Sequence, residues 1–244
     1  MGNKLLISVI TVCYNSEKTI RDTIESVLNQ TYSNIEYILI DGNSIDNTVD
    51  TIKLYENKFK EQNITYNWIS EDDKGISDAF NKGAKLANGD YVIFLNSGDY
   101  FYEKNILKDL FQNCKEDFDI VTGKVKIIGK NKQMPKNVKT SMMKGMPAHQ
   151  ATFISKGIYK KIKYDLTYKI RMDYDYFLNV LRNKTNLKIK FIEKKVSFYG
   201  IDGISSNNYF NFHKEGFKIS KKYNVKYNYS HLFKDTIKFI LGFN

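Results

Sequence analysis

The chain has 244 residues, 42% hydrophobic and 14% aromatic, with two prolines, fourteen glycines and two cysteines. Such a chain can bury a sizeable core in one large domain, which excludes disordered, collagen-like and disulfide-framed classes. Lys and Arg outnumber Asp and Glu by 38 to 27, a net charge of +11 that calls for an acidic partner or surface.

Residues 5–14 (LLISVITVCY) form a short β-branched apolar run, the pattern of a strand covered on both faces. Residues 16–30 change to helical spacing, with Ile20, Ile24, Val27 and Leu28 on one face. Residues 35–41 predict a second strand, 46–59 a helix, 65–70 a weaker third strand, 75–88 a helix and 91–96 a fourth strand. Strands alternating with amphipathic helices predict a mostly parallel sheet flanked by helices. Right-handed crossovers then put the strand ends on one edge.

Ligands of such sheets bind beyond the carboxyl ends of the strands. Asn15 follows the first strand, Asp41-Gly42-Asn43-Ser44-Ile45-Asp46 the second, Glu71-Asp72-Asp73-Lys74-Gly75 the third, and Asn96-Ser97-Gly98-Asp99 the fourth. Neither GxGxxG nor a Walker sequence is present, so a dinucleotide fold and a P-loop are not supported. Acids converging on one crevice suit another task. One carboxylate accepts hydrogen bonds from a base or ribose, and another holds Mn²⁺ or Mg²⁺ against a diphosphate.

The ordered pieces ISVITVCYN, QTYSNIEYILIDGNSIDNT, EDDKGISDAFNKGAKLANGDYVIFLNSGD, MPAHQATFISK, RMDYDYF and YGIDGIS resemble the family 2 glycosyltransferases of the GT-A fold. The likeness runs over about residues 4–205 and is strongest to bacterial enzymes that build surface polysaccharide. It implies a Rossmann-like α/β domain over 1–205, with a nucleotide-sugar half (1–99) and an acceptor half (100–205), and a basic helical extension over 206–244. By position it implies that Thr11, Tyr14 and Asn15 line the nucleotide pocket, that Asp41 meets uracil, and that Asp78 lies near the nucleotide. Asp99 takes the metal–diphosphate role. The usual Asp-x-Asp reads here as Asn96-Ser97-Gly98-Asp99, leaving one acid for the metal and Asn96 for ribose. RMDYDYF is expected to supply the catalytic base, Asp173 first and Asp175 second. The two lie on different faces of any helix that carries both. His149 falls near the acceptor cleft, and His213 is a candidate extra metal ligand.

Each assignment has a plainer competitor. Asp46 opens a helix and reads as its cap. Asp72 and Asp73 suit the positive end of the next helix. Asp78 lies inside that helix, where capping is not expected to explain it, so a site role is assigned. Lys82 reaches phosphate or merely solvent. His149 and His213 can be hydrogen-bonded structural histidines, and Met142, Met143 and Met146 either an acceptor loop or core filler.

Twelve lysines against four acids put +8 of the charge into residues 184–244. Residues 229–243 have helical spacing with lysines on the polar side, which suits a membrane interface as well as packing on the domain. The expected activity is an inverting transfer from a UDP-sugar to a hydroxyl of a polyprenyl-diphosphate-linked glycan, at the inner face of a bacterial cell membrane. A signal peptide is not expected, nor is a membrane-spanning segment. Cys13 and Cys114 read as reduced cytoplasmic thiols. The competing classes are a sugar nucleotidyltransferase, disfavoured by Cys13-Tyr14-Asn15-Ser16 in place of a Gly-rich loop, and a basic nucleic-acid-binding protein, disfavoured by the strand-end acids.

Overall fold

The computed structural model describes residues 4–114, 117–127, 130–132, 147–199 and 209–226. In chain order these form β1 (Ile7–Cys13), α1 (Ile20–Leu28), β2 (Ile35–Asp41), α2 (Thr48–Lys53), α3 (Glu56–Glu61), β3 (Thr65–Ser70), α4 (Ile76–Leu86), β4 (Tyr91–Phe94), β5 (Tyr100–Phe101), α5 (Ile106–Phe111), β6 (Ile120–Ile127) and β7 (Lys130–Lys132). A 3-10 turn (His149–Ala151), β8 (Thr152–Ser155), α6 (Lys156–Tyr159), α7 (Met172–Asn183), β9 (Ile189–Tyr199) and α8 (Tyr209–Tyr223) follow. The expected methionine loop at 142–146 and the amphipathic segment 229–243 lie outside the described residues.

β1 lies between β2 and β4 and is buried along its whole length, which explains its unbroken apolar run. Its alternate residues feed two cores. Ile7, Val9 and Cys13 join Ile20, Ile24, Val27, Ile52 and Phe59 on one side of the sheet. Ile10 and Val12 join Phe80, Phe94, Tyr164, Tyr176 and Phe177 on the other. Gly83 brings α4 onto the sheet, since any Cβ there would collide with Ile10. Each large apolar side chain buried this way contributes about 1.5–3 kcal/mol.

The described strands run in the order β3-β2-β1-β4-β8-β6-β9-β5, with β7 on β6. Pairings β3–β2, β2–β1, β1–β4 and β6–β9 are parallel, and β4–β8, β8–β6, β9–β5 and β6–β7 are antiparallel. The expected parallel character therefore holds for β1 to β4, while the sheet as a whole is mixed. β8 enters antiparallel beside β4 and joins the two halves into one sheet.

Two helices differ from the sequence expectation. The run 16–30 turns helical only at Ile20, because Ser16 and Glu17 give their N–H groups to Thr48 Oγ1 (2.6 Å) and Asp46 (3.1 Å) of the neighbouring loop. The run 46–59 breaks into α2 and α3 at Leu54-Tyr55, with Tyr55 buried beside the sheet. Trp68 is half-buried and packs against the core from β3, with its indole N–H donating to Glu56 at 2.8 Å. β3 is the exposed edge, which accounts for its weaker apolar pattern.

Part of the basic surplus is spent inside the fold. Lys184 pairs with Asp119, Lys194 with Asp109, and Lys222 with Asp165 and Asp175. A charge asymmetry along the chain is thus smaller in space. No helix among the described residues is long and apolar enough to cross a membrane.

Candidate active site

The ends of β1 to β4 open on one edge, and their loops are tied to one another. Asn15 takes a left-handed conformation (φ 47°), which turns its amide toward the β2–α2 loop. Its backbone N–H donates to Ser44 Oγ (2.8 Å), and its side-chain oxygen accepts from Ile45 N–H (3.0 Å). Tyr14 is 61% exposed on the crevice surface. Gly42 leaves room for both the Tyr14 ring and the Asp73 carboxylate, since a Cβ there would sit 3.5 Å from the ring and 2.7 Å from Asp73 Oδ2.

Asp41 is fully buried at the end of β2. Its carboxylate accepts from Ser44 N–H (2.9 Å), from the Ser44 hydroxyl and from Ser70 Oγ (2.6 Å), with the Cys13 thiol at 3.6 Å. Burial, with the nearby Asp41 charge second, pushes that thiol well above its ordinary range and keeps it protonated. Thr11 departs from the expectation that it lines the pocket. It is fully buried, and its hydroxyl accepts from Tyr37 OH at 3.0 Å inside the core. A strand buried on both faces turns either neighbour inward, and Thr11 shares the face of Val9 and Cys13.

Asp78 also takes a different role from the one expected. α4 begins at Ile76, so Asp78 lies in its first turn and accepts from Lys74 N–H at 3.0 Å. The acid thus reaches back past the flanking Gly75 to tie the incoming loop to the first turn of α4. Asp73 adds a bond from Gly75 N–H at 2.6 Å. Asp46 works alongside, accepting from Thr48 N–H at 3.0 Å, although the residue flanking α2 is Asn47. Lys82 is held by the acidic loop rather than free for phosphate. Its ammonium donates to the Asp72 carbonyl (2.7 Å) and pairs with Glu71 (2.8 Å) and Asp78 (3.9 Å). Burial works against its charge, but these acids outweigh it and raise its pKa.

The second cluster lies where β4, the 3-10 turn and α7 meet. Beyond β4 the chain turns tightly over Asn96-Ser97-Gly98-Asp99, with Gly98 at φ 91°. Asp99 is 3% exposed and accepts from Asn96 N–H at 3.2 Å. Asn96 meets His149 Nε2 at 3.2 Å through its amide nitrogen, and its Oδ1 is buried without a hydrogen-bond partner among the described residues. His149 Nδ1 lies 2.8 Å from Asp173 Oδ2. The ring stands edge-on to Phe80 (5.5 Å), which also contacts Tyr164, and Tyr164 stacks on Tyr176 of α7 at 4.2 Å. These aromatic contacts fix His149 between Asn96 and Asp173. Burial lowers its pKa, but the charges of Asp173 and then Asp99 more than compensate, so the net shift is upward.

Asp173 and Asp175 leave α7 in different directions. Asp175 is fully buried and accepts from Lys222 Nζ of α8 at 2.7 Å. Burial raises its pKa and Lys222 offsets part of that rise. The second-choice base therefore serves helix packing and is not grouped with His149. His213 is buried in α8, edge-on to Phe212 at 5.4 Å. Among the described residues no three His, Cys, Asp or Glu side chains assemble into a metal cage. Sequence reading missed Glu215 and Lys222, which hold α7 from α8. Both sit in a lysine-rich helical stretch with no local motif to single them out.

The family model for glycosyl transferase family 2 matches residues 8–185, well over half of the chain. The chain belongs to that family. A PGL/p-HBAD biosynthesis glycosyltransferase of Mycobacterium bovis is 28% identical over 207 residues, covering 83% of this chain and 79% of the relative. An Escherichia coli protein named UDP-Glc:alpha-D-GlcNAc-diphosphoundecaprenol beta-1,3-glucosyltransferase is 41% identical over 104 residues, 41% of this chain and 38% of its own. Among solved structures, Staphylococcus aureus TarS 1–349 in complex with UDP-GlcNAc superimposes with a TM-score of 0.72 at 21% identity, over 93% of this chain and 69% of that one. The glycosyltransferase thus has the α/β fold expected of it.

Proposed function

We propose that the glycosyltransferase moves a hexose or N-acetylhexosamine from a UDP-sugar to a hydroxyl of a lipid-linked glycan, with inversion. The carrying observation is the Asn96–His149–Asp173 chain, which links the β4 turn to an acid at the start of α7 over 3.2 and 2.8 Å. Asp173 is the general base. It takes the proton of the acceptor hydroxyl as that oxygen bonds to the anomeric carbon and the bond to the UDP oxygen breaks. A single displacement without an enzyme nucleophile inverts the carbon. General base catalysis contributes about 10²–10⁴-fold. His149 is the orienting partner of Asp173, and the Asn96 amide can present Nδ2 to the neutral ring or Oδ1 to the imidazolium.

Tyr14, Asn15 and the Asp41 loop form the nucleotide-sugar pocket in this reading, with the exposed Tyr14 ring as its stacking surface. Mg²⁺ often takes one or two carboxylates and completes its shell with water and substrate phosphate. The single buried carboxylate of Asp99 beside Asn96 fits that one-acid case. Asp99 would hold Mn²⁺ or Mg²⁺, whose chemistry is to neutralise the departing diphosphate. Support for the donor and acceptor comes from the printed names of the E. coli relative and the TarS complex.

UDP release from UDP-Glc, UDP-Gal, UDP-GlcNAc and UDP-GalNAc, with and without each metal, tests the reading. Turnover with one of them supports it, and no turnover or stabilisation with any of the four overturns the UDP assignment. The amphipathic 229–243 segment, within the basic last quarter of the chain, would bring the enzyme to an anionic membrane. Deleting 230–244 should abolish pelleting with anionic vesicles and leave activity on a soluble acceptor, and unchanged pelleting refutes it.

A further inference from the structure

We propose that Glu215 is a positioning residue for the general base, reaching it from a helix distant in sequence. The inference rests on Asp173 being that base. Glu215 accepts three successive backbone N–H groups, from Lys169 on Oε1 (2.9 Å) and from Ile170 (2.9 Å) and Arg171 (2.8 Å) on Oε2. These residues lead directly into α7, and Arg171 is the residue that flanks its first turn.

The first N–H groups of a helix have no partner within it and are usually served by a nearby Ser, Thr, Asp or Asn. At the flanking position of α7 there is none: the residue is an arginine, which offers no acceptor, and no side-chain cap bond is made locally. Glu215 serves one of these groups from α8, the Arg171 N–H, together with the two amides that lead into it, and sets a negative charge near the positive end of α7. Asp173 is the second residue of α7, so its side-chain direction follows the backbone that Glu215 holds.

α8 grips the same region again two turns later. Lys222 bonds Asp175 at 2.7 Å and Asp165 at 3.1 Å. One turn before Glu215, Phe212 lies under the Arg171 guanidinium (4.3 Å), which also lies over Tyr174 (4.6 Å). α4 holds the approach from the other side, Asn81 through Tyr164 N–H and C=O at 2.9 Å each and Ser77 through the Tyr168 carbonyl at 3.1 Å. The segment that aims Asp173 toward His149 is therefore set between α4 and α8, with Glu215 accepting from all three of its 169–171 amides.

Glu215→Ala, Glu215→Gln and Asp173→Asn, assayed side by side in the full chain, test the proposal. kcat per UDP-binding site of Glu215→Ala should fall up to about 10²-fold, the scale of a small misplacement of a reacting group. KM for the donor and UDP affinity should not move. Glu215→Gln keeps one oxygen acceptor and should fall between the alanine variant and the parent. A kcat equal to the parent in folded Glu215→Ala overturns the proposal, as does a loss that appears in KM with kcat unchanged. If Glu215→Ala does not fold, parental kcat in Glu215→Gln overturns it instead. Parental turnover in Asp173→Asn removes the base assignment itself. Inactive Asp173→Asn beside fully active Glu215 variants removes only the role of Glu215.

Discussion

The acids at the ends of β2 and β3 and the acid at the start of α7 are similar in kind and differ in company. Asp41, Asp46, Asp73 and Asp78 accept from loop N–H groups and hydroxyls. Asp173 instead meets an imidazole at 2.8 Å, which in turn reaches the β4 turn through Asn96. A fixed amide can only hold a carboxylate still. An imidazole can hold it and also change charge near neutral pH. The first group shapes a rigid crevice, and the second is suited to proton transfer.

Substitutions can sharpen or break that contrast. The largest effect is expected at Asp173, where Asn should lower turnover about 10²–10⁴-fold while UDP affinity stays, measured by UDP release and by titration. An equal loss of both would place Asp173 with the structural acids. Lys222→Met should be next. It leaves the Asp175 carboxylate, 1% exposed, without its cation. The cost should be about 3 kcal/mol in urea unfolding, the low end for a broken buried pair because Lys222 is itself 37% exposed.

His149→Asn tests the imidazole itself. The folded pKa of His149 lies above its unfolded value near 6.5, so the native state keeps a proton that the unfolded chain releases. The resulting stabilisation is complete below the unfolded pKa and is lost as pH rises through the folded one. The stability deficit of His149→Asn should therefore shrink as pH rises above the ordinary imidazole value near 6.5, and a deficit constant with pH would rule out the charged pair. The smallest effect is expected at Asp78, where Ala should cost about 1 kcal/mol of stability through the lost bond from Lys74 N–H and leave donor KM unchanged. A raised KM would return Asp78 to the nucleotide pocket.

Much of the crevice was legible from local pattern. The apolar runs marked β1 to β4 and the turn chemistry after each marked the binding edge, while the helix with the candidate base was reached only through the family resemblance of RMDYDYF. Packing decided the rest. The resemblance implied pocket roles for Thr11 and Asp78, but which face a strand residue takes and where a helix starts depend on tertiary contacts, which bury Thr11 and bond Asp78 to the loop before α4. The second half of the sheet was not foreseen, because β6 and β9 carry lysines that read as surface until they meet Asp109 and Glu193.

The chain alone determined the alternation of strands and helices, the edge where polar residues converge, and the opposed directions of Asp173 and Asp175, since these follow from periods of two and 3.6 residues. Tertiary structure decided which acid meets an imidazole, which one is neutralised by Lys222, and that the opening of α7 is held from α8. Those pairings join residues 24 to 47 positions apart, and no local period encodes a contact made only when two elements pack.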